Sequence, residues 1–386
     1  MDNSIEDESD SDYFDDPESG SEAEDGESQT SEDNDEIDLE NFKLNDDSTW
    51  QSSYSSRSGM TWSSISHRST KTNSSNHTIE KAGPTEITED VSSIEDAFIC
   101  FMSEKIIQKI LIYSNMEYIR NIASNEKPQE ITMMELKAFI GLLLLAGVLG
   151  KFKDRPKMFM EKKFDDKTTR EERKRTDKFT AIREIWSDFQ NYLKTCYTPG
   201  SYVTIDEQLL GFRGKCPFQS YYVFNAFPYI GRQPDQQKQK HIGTNVVLEL
   251  LQPLYGSSRN VTIDNFFTSV SLAKELQTKN LTLIGTLRNN KPEIPMEFQP
   301  NKNREVGSSL FGFQDNLTLV SFVPKQNKAV LLLYSKHHDN QVDNKTGKPI
   351  IILDYNKTKG TVDTADQMCH KFTVQSGGRF VSFMGW

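Results

Sequence analysis

The sequence has few cysteines, no long apolar run, and no positive charge in its first 40 residues. Its four cysteines (Cys100, Cys196, Cys216 and Cys369) form no CxxC pair and have no histidine at ligand spacing, which predicts buried free thiols rather than a zinc site or a disulfide framework. The longest apolar stretch, residues 139–149, is too short to span a bilayer. The amino-terminal residues lack the features of a signal peptide. We therefore predict a soluble intracellular chain with no membrane partner.

Charge is distributed unevenly along the 386 residues. Residues 1–40 hold 19 acidic side chains and no lysine or arginine, and removing those charges from the net charge of −11 leaves residues 41–386 at +8. A segment so acidic cannot bury enough apolar surface to fold. We predict a disordered acidic tail that continues into a Ser/Thr-rich linker, together covering residues 1–93. The basic remainder is compatible with a surface that binds phosphate.

Apolar periodicity predicts a helical domain over residues 94–200. Residues 103–113 carry an apolar stripe at helical spacing, with Ser103 as a candidate N-cap. Thr132 and Glu135 match a capping box, which opens a second helix that runs to about residue 149. Because that helix is apolar on most faces, we expect it to be buried. A third, amphipathic helix is predicted over residues 179–189.

From residue 201 the pattern changes to mixed strands and helices, which predicts an α/β domain over residues 201–386. A helix is predicted over residues 265–279, and short β-like runs predict a β-rich insertion at about residues 290–345. Strands are predicted at residues 202–205, 222–227, 261–263, 281–285, 317–323 and 329–334.

Two aspartates close strands of the same form. Asp206 and Asp264 each follow a Val-Thr-Ile run, and Asp363 and Asp366 lie one helical turn apart after Gly360. Carboxylates that meet at one rim of a sheet raise each other's pKa unless a cation holds them together. Mg²⁺ and Mn²⁺ prefer oxygen ligands, and two such ions about 4 Å apart can serve phosphoryl transfer. The alternative is that each aspartate is only a turn or N-cap residue.

The blocks around these aspartates resemble, nearly residue for residue, the piggyBac family of DDE transposases. The resemblance runs from about Phe98 to Val374 and implies an RNase H-like catalytic core with a β-rich insertion. That core would follow a helical domain that contributes to dimerisation and DNA contact. The matching blocks, in family order, are Thr204 to Phe218, Asp264 to Ser269, Leu272 to Leu276, Gly285 to Pro295, and Tyr355 to Met368.

The resemblance also implies roles and partners. Asp206, Asp264, Asp363 and Asp366 are expected to be catalytic and to hold Mg²⁺ or Mn²⁺ during DNA strand cleavage and transfer. The expected substrate is double-stranded DNA, with transposon ends and TTAA-type targets, and the expected state is a nuclear homodimer. A second hypothesis is an element-derived protein that binds DNA or chromatin without catalysis. A third is an unrelated metal-dependent phosphoesterase.

The sequence departs from the family pattern in three places. The segment between Gly150 and Phe164 is short, a strand is missing between Phe218 and Tyr221, and the residues after Val374 differ in a way that indicates truncation. In an RNase H-like sheet the missing strand lies beside the strand of Asp206. Its loss predicts an exposed sheet edge and a loosened aspartate cluster. Catalytic activity therefore stays an open question at the level of the sequence.

Overall fold

The computed structural model describes residues 53–66, 80–121, 129–149, 182–209, 222–229, 242–360 and 381–385, with Val362 and a few positions between residues 172 and 180. The predicted acidic tail, Cys216 and Cys369 lie outside these ranges. Residues 51–386 form one compact unit, in which helices pack on a mixed sheet. Within the described part, no helix combines the length and the apolar character that a membrane span requires.

The helices occupy both the amino-terminal region and the crossovers of the sheet. In chain order they are α1 (Ile94–Phe101), α2 (Glu104–Asn121), α3 (Met133–Leu149), α4 (Arg183–Cys196), α5 (Ile242–Leu251), α6 (Val270–Thr278) and α7 (Ile350–Thr358). The predicted capping box is confirmed at the start of α3, where Thr132 Oγ1 accepts from Glu135 N and Glu135 Oε2 accepts from Thr132 N.

The principal sheet has ten strands in the order β1-β2-β9-β10-β11-β8-β7-β5-β12-β6. Its strands are β1 (Ser53–Ser55), β2 (Thr61–Ser63), β5 (Tyr202–Leu209), β6 (Asn225–Tyr229), β7 (Asn260–Ile263), β8 (Thr282–Thr286), β9 (Ser309–Gln314), β10 (Leu317–Lys325), β11 (Lys328–Tyr334) and β12 (Val381–Gly385). β3 (Gly83–Pro84) and β4 (Tyr197–Thr198) pair separately. Only β5, β7 and β8, in the described part of the sheet, run parallel to one another. The predicted insertion thus extends this same sheet through β9, β10 and β11.

Alternating side chains give the sheet two different faces. Val203, Ile205, Val261 and Ile263 point to a large apolar core that also contains residues of α5 and α6, and we call this side the α5/α6 face. The intervening residues point to the opposite side. There a smaller core, which includes Ile351 and Ile352 of α7, covers strands β8, β10 and β11, and we call this side the α7 face.

The helix α3 is not buried as predicted. Leu136 is buried, but Leu142 is 63% exposed, and Leu144 and Leu145 are also exposed. Among the described elements, α3 packs beside α2. A single neighbouring helix covers only one side of a helix that is apolar all round, so the other side remains in solvent.

The helical region joins the sheet through α4. Lys109 Nζ of α2 lies 2.6 Å from both Asp188 Oδ2 and Glu184 Oε1 of α4, which fixes these two helices together. On the other side of α4, the Tyr222 hydroxyl donates to Leu193 O at 2.7 Å, just before strand β6. The helices therefore pack directly on the edge of the sheet.

The prediction of a structureless segment up to residue 93 is wrong for β1 and β2, which form a hairpin at the edge of the sheet. Trp62 in β2 is fully buried, and its indole Nε1 donates to Glu293 O at 2.9 Å. Gly312 of β9 admits this ring, because a Cβ at that position would lie 3.0 Å from Trp62 Cβ. Because Trp62 lies in a Ser/Thr-rich segment, the composition of that segment predicted disorder and gave no sign of the buried ring.

The predicted exposed edge beside β5 is also corrected. Strand β12 lies between β5 and β6 and pairs antiparallel with both, with Met384 opposite Asp206 on one side and Ala226 on the other. The backbone of Asp206 and of the β5 residues after it therefore has a neighbouring strand. The strand predicted to be missing beside β5 is therefore supplied by residues 381–385.

Trp62→Ala tests whether the hairpin belongs to the fold. Loss of this fully buried ring should lower the free energy of unfolding by about 3–5 kcal/mol, measured by urea denaturation. Ile65→Ala is the control, because Ile65 is 65% exposed in the same segment and its truncation should change little. Equal stability of wild type and Trp62→Ala would contradict the placement of β2.

Candidate metal centre

Asp206 and Asp264 lie at the point where the parallel pairing of β5 with β7 ends. Asp264 directly follows β7, as predicted, whereas Asp206 does not close its strand, because β5 continues to Leu209 and pairs there with β12. Strands β5 and β7 pair in register, with Thr204 opposite Thr262 and Ile205 opposite Ile263, so each aspartate occupies the next position. Adjacent strands lie about 4.8 Å apart, and residues in register point to the same side. Since Ile205 and Ile263 face the α5/α6 core, alternation assigns the next position of each strand to the α7 face. The carboxyl ends of parallel strands are also the usual place for ligands in open α/β sheets.

Asp264 is a turn residue as well as a candidate ligand. Its Oδ1 accepts from Phe266 N at 2.8 Å and from Phe267 N at 3.4 Å. This turn delays the following helix, which begins at Val270 with Ser269 as N-cap rather than at the predicted residue 265. The structural role that we weighed against the metal role is therefore present, and it holds the carboxylate at the strand end.

The electrostatics of Asp264 favour a nearby cation. Burial raises the pKa of this carboxyl, and the backbone N–H groups of Phe266 and Phe267 and the charge of Arg288 oppose that rise only in part. A desolvated carboxylate can reach neutrality by taking up a proton or by binding a metal ion. A pair of oxygen donors on one face suits Mg²⁺ or Mn²⁺, so these residues fit such an ion.

Strand β8 packs closely against the turn that follows Asp264 and holds that turn in place. Thr268 is fully buried, and its hydroxyl donates to Asp264 O at 2.5 Å. Gly285 of β8 lies opposite Ile263, and a Cβ there would overlap Thr268 Oγ1 and lie 2.8 Å from Ile263 O. Only glycine leaves room for this arrangement, which explains why Gly285 and Thr268 both lie in blocks that resemble the family.

One cation stands at the rim. The exposed Arg288 donates through Nε to Asn265 Oδ1 at 3.3 Å, and its guanidinium lies 5.9 Å from the centre of the Phe266 ring. Both contacts hold this side chain near the turn that follows Asp264. An arginine at this rim is suited to contact a phosphate group.

Asp363 and Asp366 lie outside the described residues, so their metal-binding role stays a prediction. Over the part of the chain that is described, no group of three or more acidic, histidine or cysteine side chains converges as a metal site would. Just before Asp363, residues up to Gly360, and Val362, are described. Thr358, the last residue of α7, contacts both Thr204 and Thr262, and Val362 is buried.

Sequence reasoning assigned no role to Gly285, Thr268, Arg288 or the three threonines of this region. Five of these six positions fall within the blocks that resemble the family, but the residue types are common in strands and turns. Their importance depends on distances between segments that are remote in the sequence. A β-branched run that alternates Val-Thr-Ile was the one available signal for Thr204 and Thr262.

Comparison with known proteins defines the class of this fold and site. The family model described as "Transposase IS4", a DDE transposase, matches residues 156–221 and 218–379, which is more than half of the chain. A solved structure described as a piggyBac transposase synaptic complex with hairpin DNA matches with a TM-score of 0.68 and 35% identity, over 76% of this chain and 71% of that chain.

The relatives narrow the class to one family. The human PiggyBac transposable element-derived protein 3 is 21% identical over 338 residues, which cover 72% of this chain and 56% of that protein. The human chimeric ERCC6-PGBD3 protein matches at the same identity, over 31% of its length. The chain belongs to the piggyBac transposase family. It spans little more than half of the first of these human relatives and less than a third of the second.

Gly285→Ala tests the close approach behind the site. The added methyl group meets a buried hydroxyl and a backbone carbonyl, so the free energy of unfolding should fall by about 1–3 kcal/mol. Gly200→Ala is the matched control, since a Cβ there lies 3.9 Å from Ala82 Cβ and needs no rearrangement. Chemical denaturation of both variants checks this, and an undisturbed Gly285→Ala protein would show that the packing is looser than described.

Proposed function

We propose that this chain cleaves and transfers DNA strands with divalent metal ions held by Asp206 and Asp264, assisted by Asp363 and Asp366. The observation that carries the proposal is the in-register pairing of β5 and β7, which brings Asp206 and Asp264 to neighbouring positions where that pairing ends. Membership in a transposase family supports a DNA substrate. An RNase H-like core is the corresponding fold assignment, and it rests on the likeness to the solved piggyBac transposase.

The residues of the chain divide the work. When bound, Mg²⁺ or Mn²⁺ would supply the Lewis acidity that activates a water or a DNA 3′-hydroxyl for attack on a phosphate. Asp206 and Asp264 would hold the ions, and the turn bonds to Asp264 Oδ1 keep that carboxylate oriented. Strand β12 pairs with β5 on the side away from β7, so the backbone of Asp206 is held by a neighbouring strand. This arrangement supports the catalytic hypothesis, and the second hypothesis, a DNA-binding protein without chemistry, is distinguished by an assay of DNA strand cleavage.

The DNA partner is supported by charge and by similarity. Residues 41–386 carry a net charge of +8, and Arg288 stands at the rim of the site. The similar solved complex contains hairpin DNA. We also propose TTAA-type targets, a homodimer and a nuclear location. These properties belong to whole transposases, and the chain spans 56% of the human piggyBac-derived protein that it matches.

Asp264→Asn tests the metal role. The amide keeps an oxygen for the turn bonds but loses the charge, so Mn²⁺ affinity measured by calorimetry should fall by at least about a hundredfold, beyond the usual effect of an outer-shell change. DNA strand cleavage should be lost with it. The control is Asp315→Asn, at an exposed turn between β9 and β10, which should bind Mn²⁺ like wild type.

The pH dependence of stability and Mn²⁺ binding in the wild type, compared with Asp264→Asn, gives a second check. Burial raises the pKa of Asp264, so its protonated form favours folding, and that stability is lost as the pH rises through the raised pKa. At pH 8 without metal, Asp264→Asn should therefore melt at or above the wild-type temperature. Wild-type Mn²⁺ affinity should weaken as the pH falls, because protons compete for the carboxylate. Unchanged Mn²⁺ binding by Asp264→Asn would refute the metal assignment.

Removal of residues 1–50 tests the electrostatic part of DNA binding. The cut leaves Trp62 and the unit of residues 51–386 intact and deletes the acidic segment. Affinity for double-stranded DNA should rise, and it should fall steeply with salt because binding releases counterions. A full-length variant whose acidic residues in 1–40 are replaced by Asn and Gln is the control and should match the deletion. Equal affinity of all three proteins would show that the tail does not compete with DNA.

A further inference from the structure

The side chains of two threonines, Thr204 and Thr262, contact a third, Thr358, two positions before the aspartate pair. Thr204 and Thr262 are buried on β5 and β7, opposite one another and two positions before Asp206 and Asp264. Because side chains alternate along a strand, these threonines share the α7 face with the aspartates. Thr358 ends α7 on the same face.

Thr358 is hydrogen-bonded to both aspartate strands. Thr262 Oγ1 lies 2.8 Å from Thr358 Oγ1, and either hydroxyl can donate in that contact. The Thr204 hydroxyl donates to the backbone carbonyl Thr358 O at 3.0 Å. Thr358 Oγ1 also lies 3.3 Å from Asp354 O and 3.2 Å from Tyr355 O in its own helix. One residue of α7 thus shares a hydrogen bond with each of the two aspartate strands.

This contact differs from the rest of the α7 interface. The row that contains Thr204 and Thr262 continues through Ile284 of β8 to Tyr334 of β11. Toward β8 and β11, α7 packs through Ile351 and Ile352 in an apolar core. Apolar contact tolerates sliding, whereas hydrogen bonds of fixed length and direction do not. The threonines therefore set where the end of α7 stands relative to the two strands.

We infer that Thr204, Thr262 and Thr358 form a clasp that positions the metal-binding carboxylates. The clasp holds β5 and β7 to a common point two residues before their aspartates, and it fixes the place from which the chain continues toward Asp363, five residues after Thr358. This inference rests on the proposed metal function. The threonines touch no substrate and act only through the aspartates.

The test compares Mn²⁺ affinity and thermal stability in the full-length chain. Thr358→Val and Thr262→Val remove the hydroxyl and keep the shape, so we expect Mn²⁺ affinity to fall about tenfold, as for other outer-shell partners of metal ligands. Thr358→Ser keeps the hydroxyl and should restore the affinity. Thr282→Val is the matched control. Thr282 is buried at the start of β8, away from the aspartates, and its hydroxyl donates to Asn260 Oδ1 at 2.9 Å. This variant should lose stability but bind Mn²⁺ like wild type.

The outcomes separate the clasp from the metal site itself. Wild-type affinity in a folded Thr358→Val protein, or an equal loss in Thr282→Val, would overturn the clasp and leave the metal function standing. Absence of Mn²⁺ binding by the wild-type chain would overturn both. If Thr358→Val does not fold, Thr262→Val carries the same comparison, since it leaves the bonds of Thr358 within α7 in place.

Discussion

The parallel, in-register pairing of β5 with β7 is the constraint on which the site depends. A shift by one residue would turn Asp206 or Asp264 into the α5/α6 core, where an ionised carboxylate cannot be accommodated without a partner. The observed register is fixed by that core, because Val203, Ile205, Val261 and Ile263 must all face it. Hydrophobic burial on one face thus places two carboxylates together on the other.

Neighbouring elements hold this pair from three directions. Strand β12 covers the outer edge of β5, Gly285 of β8 admits the Thr268 side chain behind Asp264, and α7 ends against Thr204 and Thr262. Burial of Asp264 makes a charged carboxyl unfavourable without metal, which is the expected conflict between stability and function at such a site. The same burial strengthens attraction to a cation when one is bound.

The sequence predicted the strands of the core well because β-branched runs and period-two alternation are local signals. It failed where the decisive contact is remote. Trp62 is held by Glu293, 231 residues away, and β12 is defined only by its two neighbours in the sheet. The helix after Asp264 was predicted too early because propensity does not report the turn that Asp264 itself forms. Asp206 and Asp264 were recognisable from their blocks, whereas Thr358 gained meaning only from the fold.

The most direct test of this account is the position of Mn²⁺ in crystals of the full-length chain, located by anomalous scattering. Asp206 and Asp264 should share the ion, with each contributing a carboxylate oxygen at about 2.0–2.3 Å, within the range of oxygen ligation to such hard cations. The ion should lie on the α7 face of the sheet. A map with Mn²⁺ bound elsewhere, and with no ion at this pair, would contradict the account.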